Sequence, residues 1–256
     1  MLTRFWKLVK YNRDWPSYIL GKFRSPKGGE LLTFRLRNGQ TVRLKPEVRF
    51  VLNEIYLDNA YDVPGVDLRA CRSILDLGAN VGIFTLYVSH LAPQAKIFCF
   101  EPSTLNFGIL QDNIKTNAVR ATPYRMALDS HSGRGHLSIA KKSAEYSLGA
   151  AGAKTEEVDC VDLRTIYELT GVEMFDFVKM DIEGAEREVL NQCPDDLLRR
   201  IKALSLEWHH SIEELDRLAQ RLRSLGFVAE RQILPVNVRY LKAWQPGTIA
   251  APSSAV

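Results

Sequence analysis

Residues 74–82, with the sequence ILDLGANVG, decide the fold of this 256-residue chain, because an apolar strand runs directly into a turn of glycine and asparagine. Gly78 and Gly82 adopt left-handed backbone angles freely, and asparagine is the non-glycine residue that does so most readily. Such a turn joins a buried strand to a helix in open α/β sheets, and glycines without Cβ atoms let a ligand approach the main chain. The stretch predicts a strand, a turn and a helix that cradle a bound group.

A second predicted strand, KIFCF at residues 96–100, ends in Glu101, which lies 19 residues after Gly82. A carboxylate ~20 residues after the glycines reaches the ribose hydroxyls of a bound nucleoside. Asp76 at the end of the first strand would repel the phosphates of NAD, but it suits a cationic ligand. We therefore expect S-adenosylmethionine, a nucleoside with a cationic methionine portion and no phosphate, and keep NAD as the alternative.

Three segments carry a resemblance to a known family: residues 76–82 (DLGANVG), residues 98–102 (FCFEP) and residues 177–186 (FVKMDIEGAE). They resemble the FkbM-type family of S-adenosylmethionine-dependent O-methyltransferases, with a match over roughly residues 50–240. The resemblance implies a class I methyltransferase domain that methylates a hydroxyl group of a sugar or other small metabolite. The acceptor itself is not carried over, because members of the family differ in their acceptors.

Strands and helices alternate from residue 74 onward, including a single strand expected at residues 122–128, which predicts an α/β fold with a doubly wound, Rossmann-like sheet. Most strands should be parallel, with a C-terminal antiparallel pair at residues 227–234 and 237–244. We expect three parts along the chain: a basic N-terminal helix and hairpin segment at residues 1–49, a class I methyltransferase domain at residues 50–244, and a disordered tail at residues 245–256.

The N-terminal hairpin is predicted around the dipeptide Asn38-Gly39. A two-residue loop would set Phe34 opposite Arg43, which mixes apolar and charged side chains on one face. A three-residue loop with Gly39 left-handed instead pairs Phe34 with Val42. We expect the three-residue loop, because it gives the hairpin one apolar face.

Charge is unevenly distributed along the chain. Residues 1–50 contain 12 Lys and Arg against 3 Asp and Glu, a balance of +9, and the remainder contains 22 against 27, a balance of −5. In residues 1–13 aromatic and basic side chains interleave, a pattern that suits an anionic membrane surface or a nucleic acid. We favour a helix that packs its aromatic side on the domain, keep a peripheral contact of residues 1–13 with an anionic membrane as the alternative, and do not expect nucleic acid as a partner.

Three absences limit the class of protein. No apolar run reaches the ~18–20 residues of a membrane span. The N-terminus shows no apolar segment of a signal peptide. The four cysteines form no CxxC pair, and we expect free thiols and a cytoplasmic location. The oligomeric state is not predicted.

Ligands of open α/β sheets bind beyond the carboxyl ends of the strands, so the residues that follow each strand are candidates. We expect Asp76 and the glycine turn to hold the methionine and ribose portions, Glu101 the ribose hydroxyls, and the main chain at residues 127–128 the adenine. Asp181, after the fourth strand, should lie near the reacting methyl group. The predicted cofactor residues are Asp76, Gly78, Asn80, Gly82, Glu101, Ala127, Leu128 and Asp181.

An alcohol needs a base or a metal ion before it can accept a methyl group at neutral pH. Acidic and imidazole side chains follow the later strands, and the predicted catalytic residues are Asp181, Glu183, Glu207 and His209. His209 or Glu183 is the expected base, because histidine titrates near neutral pH and burial can raise the pKa of a carboxyl group. A solvated helix cap is the alternative for His209.

A divalent ion is the competing mechanism. Asp181, Glu207 and His209 could hold Mg²⁺ or Mn²⁺ against the acceptor hydroxyl, but no closely spaced ligand pair marks such a site, and we favour a site without metal. Glu186 is expected only to complement a helix dipole.

A helix is predicted at residues 47–62, and in the family it would border the cleft. Tyr56 or Tyr61 could therefore cover the ligand, although a place in the core is equally expected. Two other interpretations of the whole chain stay open: a nucleic-acid methyltransferase, and a catalytically silent cofactor-binding protein.

Overall fold

The computed structural model describes residues 2–20, 30–139, 146–148, 154–234 and 238–247. The N-terminal part contains α1 (Leu2–Tyr11), α2 (Trp15–Leu20), β1 (Leu32–Arg35), β2 (Thr41–Leu44) and α3 (Arg49–Tyr56). The next elements are β3 (Ser73–Leu77), α4 (Ile83–Leu91), β4 (Lys96–Phe100), α5 (Thr104–Thr116), β5 (Ala121–Tyr124), β6 (Met126–Leu128), β7 (Gly133–Ile139), β8 (Tyr146–Leu148) and β9 (Lys154–Val161). The chain continues with α6 (Leu163–Thr170), β10 (Phe175–Met180), α7 (Glu186–Gln192), α8 (Asp195–Leu198), β11 (Ile201–Glu207), α9 (Ile212–Ser224), β12 (Val228–Ile233) and β13 (Arg239–Trp244).

A seven-stranded sheet with the order β12-β13-β11-β10-β3-β4-β5 forms the centre of the fold. The neighbours from β11 to β5 pair in parallel, whereas β13 is antiparallel to both β11 and β12. This confirms the predicted α/β fold, with a mostly parallel sheet and a C-terminal antiparallel pair. The chain leaves β3 toward β4 on one side and later returns to β10 on the other, so the strand order reverses at β3, where such sheets bind ligands.

The N-terminal hairpin has the predicted three-residue loop. Phe34 pairs with Val42, Leu32 pairs with Leu44, and Gly39 has a φ of 92°. Phe34 and Val42 are buried in a hydrophobic cluster that also contains residues of β3 and α4. Asn113 of α5 holds the hairpin through its amide, which accepts from Arg43 N and donates to Arg43 O. The hairpin therefore shares its core with the central sheet.

Polar side chains cap the first turns of helices that flank the sheet. The side chains of Ser103, Asp162 and Ser211 accept hydrogen bonds from main-chain amides at the starts of α5, α6 and α9. Ser211 and Glu214 form a complete capping box. Because such caps satisfy otherwise unpaired amides, they fix where each helix begins and hence where the preceding strand must end.

Two predicted elements differ from the structure. The strand expected at residues 122–128 is two strands, because the chain turns at Arg125 and β6 leaves the central sheet to pair with β9 in a separate four-stranded sheet. The helix expected at residues 47–62 ends at Tyr56, after a short 3-10 turn at its start, and Asn59 then takes a left-handed conformation that a helix cannot include.

The remaining expectations concern the thiols, the membrane and the tail. All four cysteines are free and buried, as predicted. Within the described ranges, none of the helices combines the length and the apolar composition that crossing a bilayer requires. Of the tail expected at residues 245–256, residues 248–256 lie outside the described residues.

Candidate active site

Two cavities meet at the carboxyl edge of the sheet, where the strand order reverses. The smaller encloses about 560 Å³ and the larger about 1900 Å³, in both cases including space open to solvent. Both are lined by Gly78, Asn80, Asp181 and Glu183. These four residues therefore mark the boundary across which groups bound in the two cavities would face each other.

The smaller cavity has apolar walls and an acidic corner at Glu101, besides the carboxylates of Asp181 and Glu183 at its boundary with the larger cavity. Six of the eight predicted cofactor residues line it, and Asp76 and Gly82 do not. Its apolar walls include Phe100, Met126, Leu137 and Ile182. An apolar slot with a few polar groups on its rim suits the flat base and the ribose of a nucleoside.

Glu101 forms the acidic corner and is held in place by main-chain amides. Its Oε2 accepts from Asn80 N at 2.8 Å, and its Oε1 accepts from Ser103 N at 3.0 Å. Burial raises the pKa of Glu101 to about 7, although the hydrogen bonds from Ser103 and Asn80 partly offset the effect of burial. Asn80 itself has a φ of 51°, so the turn uses the left-handed asparagine that its sequence predicts.

The glycines of the turn serve protein packing as well as the cavity. A Cβ atom on Gly78 would lie 1.7 Å from the carbonyl oxygen of Asp181, and one on Gly82 would lie 2.6 Å from Leu110 Cδ1. The expectation that both glycines make room for a ligand therefore needs correction. Gly78 lets the turn touch the end of β10, and Gly82, outside both cavities, lets α4 begin against α5.

Asp76 lies behind the site rather than in it, which differs from its expected contact with the cofactor. It is fully buried, its Oδ2 accepts from Thr85 Oγ1 at 2.7 Å, and its Oδ1 lies 3.4 Å from Lys179 Nζ. Lys179 in turn donates to Leu77 O and to Gly78 O. Asp76 thus acts through Lys179, which clamps the glycine turn onto β10.

Carboxylates dominate the polar lining of the larger cavity. All four predicted catalytic residues, Asp181, Glu183, Glu207 and His209, line it together with Glu54. Burial, followed by repulsion from the charge of Asp181, raises the pKa of both Glu54 and Glu207 to about 7. Phe50, Val51, Ile55 and Phe84 supply apolar surface on the same walls.

His209 lies among these carboxylates and is oriented by Glu186. The His209 Nδ1 atom is 2.9 Å from Glu186 Oε1, and Nε2 is 3.6 Å from Glu183 Oε2 and 3.9 Å from both Asp181 Oδ1 and Glu207 Oε1. Burial alone would lower the pKa of His209, but the hydrogen bond and charge of Glu186, followed by the charges of Asp181 and Glu183, raise it to about 9. His209 is therefore a cation near neutral pH and not a solvated helix cap.

Glu186 does more than complement a helix dipole, which corrects the expectation for this residue. Its side chain is fully buried and accepts from Ile182 N at 3.1 Å and from Gly184 N at 3.0 Å. Burial would raise the pKa of Glu186, but the bond and charge of His209 and the main-chain amides lower it. Glu186 thus folds the turn after β10 and ties it to His209.

Tyr61 is the tyrosine that reaches the site. Its Oη donates to Asp181 Oδ2 at 2.9 Å and lies 3.3 Å from Glu207 Oε2. The ring is buried, and the ammonium groups of Lys179 and Lys242 lie 5.4 Å and 5.6 Å from its centroid. Tyr56, the other candidate, bonds Gln40 instead. Tyr61 thus links the ends of β10 and β11.

One group in the described part of the chain has metal-ligand spacing: Asp181, Glu186 and His209 each offer an atom within 4.8 Å of the others. The triad expected from the sequence contained Glu207 in place of Glu186. Glu186 already accepts hydrogen bonds from two amides and from His209, so its oxygens have little capacity left for an ion.

Comparison with known proteins identifies the family of this chain. The model of the FkbM methyltransferase domain matches residues 76–229, which is more than half of the chain. The chain belongs to this family. The 31-O-demethyl-FK506 methyltransferase FkbM of Streptomyces tacrolimicus is 28% identical over 238 residues, covering 79% of this chain and 92% of that protein. Methyltransferase sdnD of Sordaria araneosa is 27% identical over 203 residues, covering 65% of this chain and 77% of that protein.

A solved structure supports the same fold. The methyltransferase FkbM of Methylobacillus flagellatus superimposes with a TM-score of 0.51 at 14% identity, covering 91% of this chain and 59% of that one. This FkbM-family chain is therefore a methyltransferase with a class I, Rossmann-like fold, and the family implies S-adenosylmethionine as the methyl donor.

The FkbM-family site contains residues that the sequence did not single out. Lys179 lies in β10, two residues before Asp181. Glu54 lies on α3, far from the motif segments in the sequence. The sequence of β10 gives a weak signal for Lys179, because this residue is charged although it lies in a buried strand. It pairs with Asp76 of the neighbouring strand β3 and precedes Asp181 by two residues. Nothing local in the sequence of α3 marks Glu54, since its place at the cavity depends on how α3 packs.

Proposed function

We propose that this protein transfers the methyl group of S-adenosylmethionine to a hydroxyl group of a sugar or other small metabolite. The observation that supports the proposal most is the meeting of the two cavities at Asp181 and Glu183. A nucleoside held in the smaller cavity by Glu101 would direct its sulfonium methyl group toward this boundary. The larger cavity, with polar and apolar walls, would hold the acceptor.

Methyl transfer is an in-line displacement in which the acceptor oxygen attacks the methyl carbon while the bond from carbon to sulfur breaks. S-adenosylhomocysteine leaves as a neutral thioether, so the enzyme mainly aligns the two partners and accepts the proton of the alcohol. We assign the proton to Glu183, which lines both cavities. His209 carries its own proton near neutral pH, so we assign it to holding the surrounding carboxylates in place.

Two features support a small acceptor. One curated relative is named for the methylation of FK506 at the 31-O position. In this chain Asp-Ile-Glu-Gly follows β10, where a stacking aromatic segment would serve a nucleobase. A nucleic acid therefore stays the less favoured acceptor, and a cytoplasmic location stays a prediction.

Calorimetry tests the donor, and mass spectrometry tests the reaction. We expect S-adenosylmethionine and S-adenosylhomocysteine to bind with one-site isotherms, and NAD not to bind. Incubation with a deuterated methyl donor and pools of polyhydroxylated metabolites should give a product whose label survives mild alkaline hydrolysis, as an ether does and an ester does not. Binding of NAD alone would overturn the assignment, and donor binding without any labelled product would favour a catalytically silent protein.

The pH dependence of nucleoside binding should report Glu101. Ribose hydroxyls donate hydrogen bonds, so they bind the ionised carboxylate, and with a pKa of about 7 in the free protein the ionised fraction rises with pH. We expect 5′-methylthioadenosine, which has no amino-acid portion to titrate, to bind about tenfold more tightly at pH 8 than at pH 6, in proportion to that fraction. Calorimetry at the two pH values checks this. The Glu101→Gln variant should bind weakly and equally at both, and a wild-type affinity independent of pH would contradict the assignment.

We expect methyl transfer to survive chelation of divalent ions. The group with metal-ligand spacing contains Glu186, whose oxygens are engaged by main-chain amides and His209. Turnover in excess EDTA should stay within about twofold of the untreated rate, since positioning and proton transfer need no ion here. A large loss that Mg²⁺ or Mn²⁺ restores would instead establish the metal-dependent mechanism.

A further inference from the structure

The N-terminal helix pair has no task in the proposed reaction, yet α1 is firmly fixed to the domain along one side. Leu8 is buried, Tyr11 Oη donates to Asn53 Oδ1 at 2.8 Å, and Arg37 Nε donates to Val9 O at 2.7 Å. Together with the contacts of Arg4 to Asp58 and of Lys7 to Leu57 O, they run from Arg4 to Tyr11, so the position of the helix is set by packing. The exposure of its other side is therefore a feature of the folded protein.

That other side exposes aromatic rings. Trp6 is 61% exposed and Phe5 is 37% exposed. The Phe5 ring contacts both Trp6 and Trp15 edge to face, with centroids 5.8 Å and 5.3 Å apart. We call Phe5, Trp6 and the half-buried Trp15, which also packs against the core, the aromatic patch. Leu20, at the end of α2, is 67% exposed. Contiguous exposed apolar surface of this kind marks binding surfaces more often than it marks solvent-facing positions.

The charges next to the aromatic patch are positive and partly unpaired. Arg4 pairs with Asp58, and Lys7 donates to a main-chain carbonyl. Lys10 and Arg13 are exposed, and in the described part of the chain their side chains make no hydrogen bond or ion pair. Residues 2–20 contain four Lys and Arg and one Asp, a balance of 4 − 1 = +3. The helix pair thus combines exposed rings with a cationic surplus.

We propose that the aromatic patch, together with Lys10 and Arg13, binds the surface of an anionic phospholipid bilayer. Tryptophan favours the headgroup level, where its ring is buried and its N–H stays hydrated, and lysine and arginine gain from the negative surface potential. Neither signal is sufficient alone, and reversible membrane binding usually combines them. Two exposed cations, Lys10 and Arg13, beside the aromatic patch fit a lipid surface better than a nucleic acid, which needs a row of phosphate contacts.

Vesicle co-sedimentation of the full chain tests the proposal without any assumption about the reaction. We expect the wild-type protein to bind vesicles of phosphatidylcholine with about one-third phosphatidylserine at least tenfold better than pure phosphatidylcholine, and to be released by high salt. Trp6→Ser and Lys10→Glu should each lose most of this binding. Leu105→Ser, also at an exposed apolar residue, and Lys96→Glu, at an exposed lysine of β4, are the matched controls and should bind like wild type.

The outcomes separate cleanly because all four substitutions are at exposed positions. Unchanged thermal unfolding of the variants would show that any loss of binding is local. No preference of the wild type for anionic vesicles, or equal losses in the controls and in the Trp6 and Lys10 variants, would overturn the proposal. So would binding to RNA that vesicles do not displace, since that result would assign the cationic surface to a nucleic acid.

Discussion

Replacing Gly78 by alanine should unfold or nearly unfold this protein at temperatures that the wild type tolerates. The added Cβ would lie 1.7 Å from the main-chain oxygen of Asp181, and neither partner is a flexible side chain end. To relieve the overlap, the turn would have to move away from β10. That movement would break the bonds from Lys179 to Gly78 O and from Gly78 N to Phe100 O. We expect a loss of more than about 3 kcal/mol in the free energy of unfolding.

Gly65 provides the matched control, because it has the same φ of 73° and no atom within 4 Å of an added Cβ. Gly65→Ala carries only the cost of a left-handed alanine, about 1–2 kcal/mol. Urea unfolding of both variants measures the difference. Any folded fraction of Gly78→Ala should also bind S-adenosylhomocysteine poorly, because Gly78 lines both cavities. Equal losses for the two variants would show that the backbone angle, and not the contact with β10, makes Gly78 necessary.

Much of the fold was predictable from the sequence, because signals such as the turn at Gly78 are local. Strand periodicity, the glycine turn and the caps are local signals, and each is enforced by a local cost of the wrong conformation. The hairpin register followed in the same way, since only the three-residue loop buries Phe34 and Val42 together. The break at Arg125 was not predictable, because no turn residue marks that position and the switch to β9 depends on Asp159, which lies 33 residues after its partner Met126.

The site was less predictable than the fold, because its electrostatics depend on distant partners. The rule that ligands bind at strand ends predicted that Glu101, Asp181 and Glu207 lie at one edge of the sheet, and the structure places them there. It could not show that Asp76 turns inward to Lys179, nor that Glu186 would fix the protonation of His209. Sequence also could not choose between Tyr56 and Tyr61, which the structure separates by their partners.

The second large effect concerns catalysis and depends on the protonation state of His209. A base must arrive at the reaction without its proton, and a pKa of about 9 leaves His209 charged near neutral pH. Its Nε2 lies 3.6 Å from Glu183 Oε2, so the imidazolium stabilises the ionised form of the carboxylate that we assign as base. Glu183→Gln removes the only group in this pair that can accept a proton in that state. We expect kcat to fall about 10²–10⁴-fold, with binding of S-adenosylhomocysteine largely retained.

His209→Asn should behave differently, because it removes a stabilising charge and leaves the base in place. We expect a loss of about tenfold in kcat, together with a shift of the acidic limb of the pH profile to higher pH as Glu183 becomes harder to ionise. Glu188→Gln, at an exposed residue of α7 that pairs with Arg187 and lines neither cavity, is the control for loss of one carboxylate and should match wild type. If His209→Asn abolished turnover while Glu183→Gln kept it, the roles would be reversed, and His209 would have to accept the proton as a neutral imidazole.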